Sequence, residues 1–178
     1  MWRARFSQWA TMQAQLLTTT ITFIPVFLVW FDYVGCPQKV SGRSMRPTFN
    51  STSMSTWVWL NKWLAIGRAY SRGDVVVLRS PTELGEMITK RVVALDGDFV
   101  YRRDDQVLVQ VPRGHIWIEG DNGPNSNDSN AFGAVPAGLV EAVVTHKLHP
   151  WAEAGRVERL ELSRNRVIRG KKRTGADI

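Results

Sequence analysis

Cysteine is almost missing from this chain: Cys36 is the single copy in 178 residues. That excludes an intramolecular disulfide framework and any Cys-rich zinc module. With no CxxC and only three scattered histidines, His115, His146 and His149, a structural metal site has no ligand set. A P-loop, a GxGxxG fingerprint and an HExxH are absent too, so no familiar phosphate, dinucleotide or zinc chemistry is signposted. Acidic residues are in deficit, 16 against 23 Lys and Arg, giving a net charge of +7. Such an excess suits nucleic acid or an anionic membrane surface. It is unevenly spread, however: residues 151–178 carry +4 of it, and Arg3 and Arg5 another +2. The middle of the chain is nearly neutral, which argues against a nucleic-acid groove. Composition otherwise reads as globular, with 44% hydrophobic and 22% charged residues and a length that suits one domain plus extras.

Charge is wholly absent over the 26 residues from Phe6 to Phe31, whose apolar centre is Leu16 to Phe31. The length suits a membrane-spanning helix. The four threonines of the apolar centre can return their hydroxyls to the helix backbone, and Pro25 is tolerated in such a setting. Trp9 and Trp30 lie 21 positions apart, roughly 32 Å along a helix, close to the ~30 Å hydrocarbon thickness. Two aromatic belts are thus available, with Tyr33 reinforcing the second. Arg3 and Arg5 precede the span and Asp32 follows it, so the positive-inside rule retains the short N-terminus and sends the rest across. A cleaved or lipidated leader ending near Cys36 is the alternative, together with a buried soluble helix; Asp32 and Tyr33 suit neither a cleavage site nor a lipidation site.

Beyond the anchor the pattern turns to short alternating runs broken by Gly, Pro and Asp. Strands are predicted at Trp57–Leu60, Asp74–Leu78, Met87–Leu95, Phe99–Arg102, Gln106–Val111, His115–Glu119 and Leu139–Leu148, with turns at Asp96-Gly97-Asp98 and Arg103-Asp104-Asp105. No 3.6-residue apolar stripe appears between 37 and 150. The expected fold is therefore mainly β, one compact antiparallel sheet domain over 35–150 behind an N-terminal segment 1–34 with the anchor helix. Residues 151–178 read as a mobile basic tail.

Three clusters could carry chemistry. Ser44 lies in Gly42-Arg43-Ser44-Met45-Arg46-Pro47, which lacks the second glycine of a GxSxG elbow, so a serine–histidine–aspartate hydrolase is not indicated. Gly42 permits unusual backbone angles and Pro47 forbids a helix through Arg46; alone, the segment is a constrained loop. Lys90 shares a strand face with Ile88, Val92 and Ala94, while Thr89 and Arg91 turn to the other face. Desolvation there would lower the amine's pKa and make it a usable base; the competing reading is a lysine that snorkels to solvent at a strand edge. The third cluster, Glu119-Gly120-Asp121-Asn122 followed by Ser126-Asn127-Asp128-Ser129, is either Asx-turn chemistry or a source of a hydroxyl and a carboxylate for a buried amine. It lacks the ligand spacing of an EF-hand.

In order, Gly42–Thr48, Arg72-Gly73-Asp74-Val75-Val76, Lys90-Arg91-Val92 through Gly97-Asp98, and Gly120-Asp121-Asn122 with Ser126, Asp128, Ser129 and Phe132-Gly133 resemble the boxes of the type I signal peptidases. The resemblance spans residues 34 to about 150. Gly114–Asp121 and Asp128–Gly133 are most similar to the mitochondrial inner-membrane branch of that family. The resemblance implies a serine–lysine endopeptidase with Ser44 as nucleophile, Lys90 as general base, Ser126 orienting the lysine and Asp128 supporting the same loop. It implies no cofactor and no metal. Its partners would be precursors bearing sorting peptides, a sister catalytic subunit, a small accessory subunit and the lipid bilayer, with the catalytic domain facing the intermembrane space. Two positions depart from the family pattern. Gly42 stands where bacterial relatives often carry a hydroxyl oxyanion donor, leaving the Ser44 N–H and a second, unassigned donor. Asn130 stands where most relatives have arginine, so Asp128 loses an ion pair and would be held by backbone and hydroxyl donors; one of the two sister types within the mitochondrial branch shares this departure, and the other does not. The alternatives are a bacterial-type leader peptidase, or a membrane-tethered β subunit without catalysis.

Overall fold

A helix closes its backbone hydrogen bonds within itself and so can do without water along an uncharged run; helix α1 (Trp2–Val29) contains the whole of the run up to Val29. In the computed structural model, which describes residues 2–51, 55–160 and 166–170, its side chains from Met12 onward are all exposed. The stretch Met12–Val34 is long and apolar enough to cross a membrane, with a mean hydropathy of 1.7. As expected, the threonine hydroxyls turn back onto the helix: Thr18 donates to Ala14 O at 2.6 Å, Thr19 to Gln15 O, Thr20 to Leu16 O and Thr22 to Thr18 O. A π-helical turn, Trp30–Val34, ends the helix and delivers the chain directly into a sheet.

The remainder is antiparallel β structure. Strands β1 (Gly35–Ser41), β2 (Ser55–Asn61), β3 (Val75–Arg79), β4 (Met87–Ala94), β7 (His115–Glu119), β8 (Val135–Pro136) and β9 (Val140–His149) form one sheet in the order β1-β2-β9-β3-β4-β7-β8. β5 (Phe99–Tyr101) and β6 (Leu108–Gln110) belong to a second, smaller sheet. β3 is a continuous apolar run because it is covered on both faces. Val76 and Leu78 enter one core with Val92, Ile116 and Ile118, while Val75 and Val77 enter another with Val40, Met45, Phe49, Val58 and Leu60. β2 instead alternates, with Thr56, Val58 and Leu60 buried and Trp57 exposed. A third core of Val93, Ala94, Val100, Val111 and Trp117 joins the small sheet to the large one.

Several elements differ from expectation for local reasons. β1 was hidden by Pro37 and Lys39, which an edge strand accepts because one side of its backbone goes unpaired. Two short helices, α2 (Lys62–Ile66) and α3 (Ser129–Phe132), are too brief to show a periodic stripe. Each is started by a side-chain cap, Asn61 accepting from Leu64 N–H and Asp128 from Asn130 N–H. The expected strand at 106–111 shortens to β6, since Gln106 takes a positive φ of 56°. The segment expected as a mobile tail contributes β10 (Gly155–Arg156) on β9 and β11 (Val167–Ile168) on β5. It reaches two buried acids: the Arg166 side chain binds Glu119 at 2.8 Å, and the Gly170 backbone N–H donates to Asp98 at 2.9 Å.

Candidate active site

The loop after β1 carries Ser44. Gly42 adopts φ +103°, a conformation a side chain would disfavour, so its freedom is used here for a turn. Beyond it the loop is pinned from below by Met45 and Phe49, both in the core. From the side it is held by Asn50, whose amide donates to Gly42 O at 2.9 Å while its carbonyl accepts from the buried Thr56 hydroxyl. Ser44 is left half-exposed on a fixed backbone.

β4 brings Lys90 to the same place. Its pairing partner on β3 is Val76, and only 4% of its surface is exposed. Burial pushes the amine's pKa below its ordinary value; the charges of Asp128 and Glu86 oppose this less strongly. Lys90 Nζ donates to Ser126 Oγ at 2.8 Å. Ser44, Gly42 and Lys90 line one cavity of about 380 Å³, bounded by β1, by the hairpin 80–90 and by Asn125, Asn127 and Phe132. A larger cavity of about 780 Å³ lies on the Arg91 side of β4 and includes neither Ser44 nor Lys90. Among the described residues no three His, Cys, Asp or Glu side chains converge to hold a metal ion.

The loop 120–133 closes the site. Ser44 O accepts the Asn122 N–H at 2.9 Å, and Asn122 Nδ2 donates to Arg43 O at 3.1 Å. Gly120 passes so near that a Cβ there would collide with Ser126 Oγ and with the Ser44 carbonyl oxygen. That requirement follows from the loop 120–133 folding back on itself against the Ser44 loop, which local sequence cannot register. Asp128 is buried and accepts from the Gly120 N–H at 2.9 Å and from the Asn130 backbone and side-chain amides at 3.1 and 2.8 Å. The expectation of hydroxyl donors is therefore corrected: Asn130 itself supplies the side-chain donor to Asp128, and its carbonyl accepts the Arg103 N–H at 2.8 Å. The asparagine makes both contacts without carrying a charge.

Asp121 points to the other face of β4, away from the lysine. It takes a bidentate pair from buried Arg91, Nε to Oδ1 at 2.8 Å and Nη2 to Oδ2 at 2.7 Å. Thr48 Oγ1 donates to the same carboxylate at 2.5 Å, and Arg91 Nη1 reaches Gly73 O at 2.7 Å. Arg91 thus ties β4, the Ser44 loop, the Asp121 loop and the turn at 73 together. Sequence reasoning placed Arg91 on the opposite face from Lys90 and assigned it no role. A signal was present: an arginine and an aspartate in adjacent boxes on a mostly buried strand.

Residues 12–110 match the family described as signal peptidase, peptidase S26. Mitochondrial inner membrane protease subunit 2 of Mus musculus is 44% identical over 71% of this chain and 74% of its own length. The subunit 2 of Schizosaccharomyces pombe is 40% identical over 85% and 86%. Subunit 1 of the mouse enzyme is 34% identical over 70% and 76%.

Proposed function

This chain belongs to the signal peptidase family, peptidase S26, and on that premise we propose that it is a serine–lysine endopeptidase of the mitochondrial inner membrane. The reading is carried by one observation: a buried lysine, depressed in pKa by that burial, lines the same cavity as Ser44 and donates to Ser126. A lysine that is neutral part of the time can accept a proton; a solvated one at neutral pH cannot.

The proposed reaction starts with Ser44 Oγ attacking the scissile carbonyl carbon while neutral Lys90 takes the hydroxyl proton. The tetrahedral oxyanion forms beside the Ser44 N–H, a group that donates to none of the described residues. Loss of one such donor costs roughly 3–4 kcal/mol in the transition state. As the C–N bond breaks, the lysine passes its proton to the leaving amine. The neutral Lys90 amine then takes a proton from a water that attacks the acyl carbon, and returns it to Ser44 Oγ as the ester bond breaks and the carboxylic acid leaves. Ser126 Oγ fixes the Nζ position, and Asp128 fixes the loop from which Ser126 projects.

An extended substrate has a place to lie. β4 pairs with β3 over Met87–Arg91, but its pairing with β7 begins only at Arg91, so Met87–Lys90 offer an open backbone edge facing the cavity. Strand addition there would bring the scissile bond to Ser44 with main-chain hydrogen bonds supplying much of the affinity. We read the substrates as precursors whose sorting peptides are removed in the intermembrane space, and the partners as a sister catalytic subunit and a small accessory subunit. Ser44→Ala in cells should leave a defined set of such precursors uncut; normal maturation of all of them would refute the assignment. With the outer membrane opened, added protease should digest the β domain, and its protection would reverse the proposed orientation.

A further inference from the structure

Helix α2 exposes two large apolar side chains that the fold does not use. Trp63 is 67% exposed and Ile66 64%. They are three residues apart and therefore share one helix face, while Ala65 is buried in the core and Leu64 packs against it. Short helices in water normally turn polar side chains outward. The position of this one is fixed by two covalent neighbours of the anchor. Asn61, which caps α2, is the pairing partner of Gly35, the first residue after the π-helical turn. α2 also packs beside that turn, Trp30–Val34, which carries exposed Trp30, Phe31 and Tyr33. Aromatic residues at the end of an apolar span mark the depth of the lipid–water boundary. Lys62 opens α2 and the exposed Arg68 lies two residues beyond its end, so the two flank the apolar pair.

From this geometry we infer that α2 is a second membrane contact, seated in the interfacial layer of the bilayer that holds α1, with Trp63 and Ile66 at the headgroup–acyl boundary and Lys62 and Arg68 on anionic headgroups. The inference rests on α1 being a membrane anchor and is independent of the peptidase chemistry. Continuity with the anchor selects lipid as the occupant: a patch held at the level of the aromatic belt meets headgroups before it meets any soluble partner. Basic side chains near an anionic surface add attraction, and their stems reach it from slightly below. Two contacts instead of one would stop the β domain pivoting on the turn at 30–34, holding the Ser44 cavity at a constant height above the membrane.

The test uses the full chain with Cys36→Ser, so that a single introduced cysteine carries an environment-sensitive fluorophore. Labels at Trp63→Cys, at Phe23→Cys inside the anchor and at Asp105→Cys on the exposed β5–β6 turn are compared in vesicles of phosphatidylcholine with phosphatidylglycerol. Nitroxides are placed either shallow or deep on the lipid chains. The label at 63 should shift its emission to shorter wavelength than in water and lose intensity to the shallow nitroxide, the label at 23 to the deep one, and the label at 105 to neither. Replacing phosphatidylglycerol with phosphatidylcholine, or introducing Lys62→Gln with Arg68→Gln, should reduce the quenching at 63. Quenching at 23 with none at 63 overturns the inference while leaving the anchor intact; no quenching at either overturns both. Unchanged quenching at 63 without anionic lipid removes the headgroup pairing.

Discussion

Removing the carboxylate of Asp121 should be among the most damaging single changes outside the core. Its pair with Arg91 is closed to solvent: the two side chains are 10% and 3% exposed. Asp121→Ala leaves a guanidinium buried with only Thr48 Oγ1 and the carbonyls of Gly73 and Glu158 as acceptors. Breaking one side of such a pair costs about 3–5 kcal/mol, against about 0–1 kcal/mol for an exposed pair. That is a large share of the about 5–15 kcal/mol a domain has. Arg91→Met should cost a similar amount by orphaning Asp121. Additivity would put the double variant, Arg91→Met with Asp121→Ala, at twice either single. The pair geometry predicts otherwise: with both charges gone the double variant should be no worse than the poorer single, a coupling of at least about 2 kcal/mol. Urea unfolding of the full chain in mild detergent, followed by tryptophan fluorescence, measures all four corners of the cycle, with Asp121→Asn as the milder single variant. Cleavage should fall in kcat more than in KM, because Thr48 and Asn122 carry the disturbance into the Ser44 loop and misplace the attacking oxygen. Singles costing under about 1 kcal/mol, or strictly additive effects, would show that water screens the pair and that Arg91 does not hold the site together.

Lys90→Arg should be as inactive as Lys90→Met although it keeps the charge, since arginine stays protonated; substantial turnover by the folded variant would remove Lys90 as the base. Wild-type activity should rise with pH through the depressed lysine pKa. Stability should also rise with pH up to the ordinary lysine value, because in that window the unfolded chain binds the proton that the folded chain has lost; a pH-independent unfolding curve in Lys90→Met alone would agree, and one unchanged from wild type would not. Asn130→Ala should lower stability by about 1–3 kcal/mol and loosen the Ser126 loop, as it removes a donor from buried Asp128; a change within measurement error would mean water replaces the amide. Glu119 is pushed up by burial, but Arg166, Trp117 and Arg103 outweigh this and hold its pKa below the ordinary carboxylate range. Its contribution is therefore present at neutral pH and lost as pH falls through that lowered value. Glu119→Gln should free the strand at 167–168, read as faster amide exchange there at neutral pH; wild-type exchange rates would show that the segment docks without it.

Local chemistry alone determined the long apolar helix, most strands and the face on which Lys90 sits. An uncharged run of membrane length and a period of two along 87–94 need no tertiary partner to be read. Glycine and serine in the loop at 42–44 were legible as a constrained turn for the same reason, and the order of the boxes supplied their candidate roles. Where Lys90 ends, in solvent or beneath Ser126, was not legible, because a strand pattern says which way a side chain points and not what covers it. The lysine is dry because the loop 120–133 folds over it from 30 or more residues away. The same holds for Gly120, needed only because Ser126 and the Ser44 carbonyl crowd it, and for Asn130, whose amide serves Asp128 only once α3 has formed. The C-terminal segment gives the plainest contrast. Its sequence is rich in basic side chains that water would solvate equally well; only the assembled sheets bury Glu119 and Asp98, and buried carboxylates without counter-charge or N–H donors are too costly to stand alone. Tertiary structure turned a basic tail into their partner.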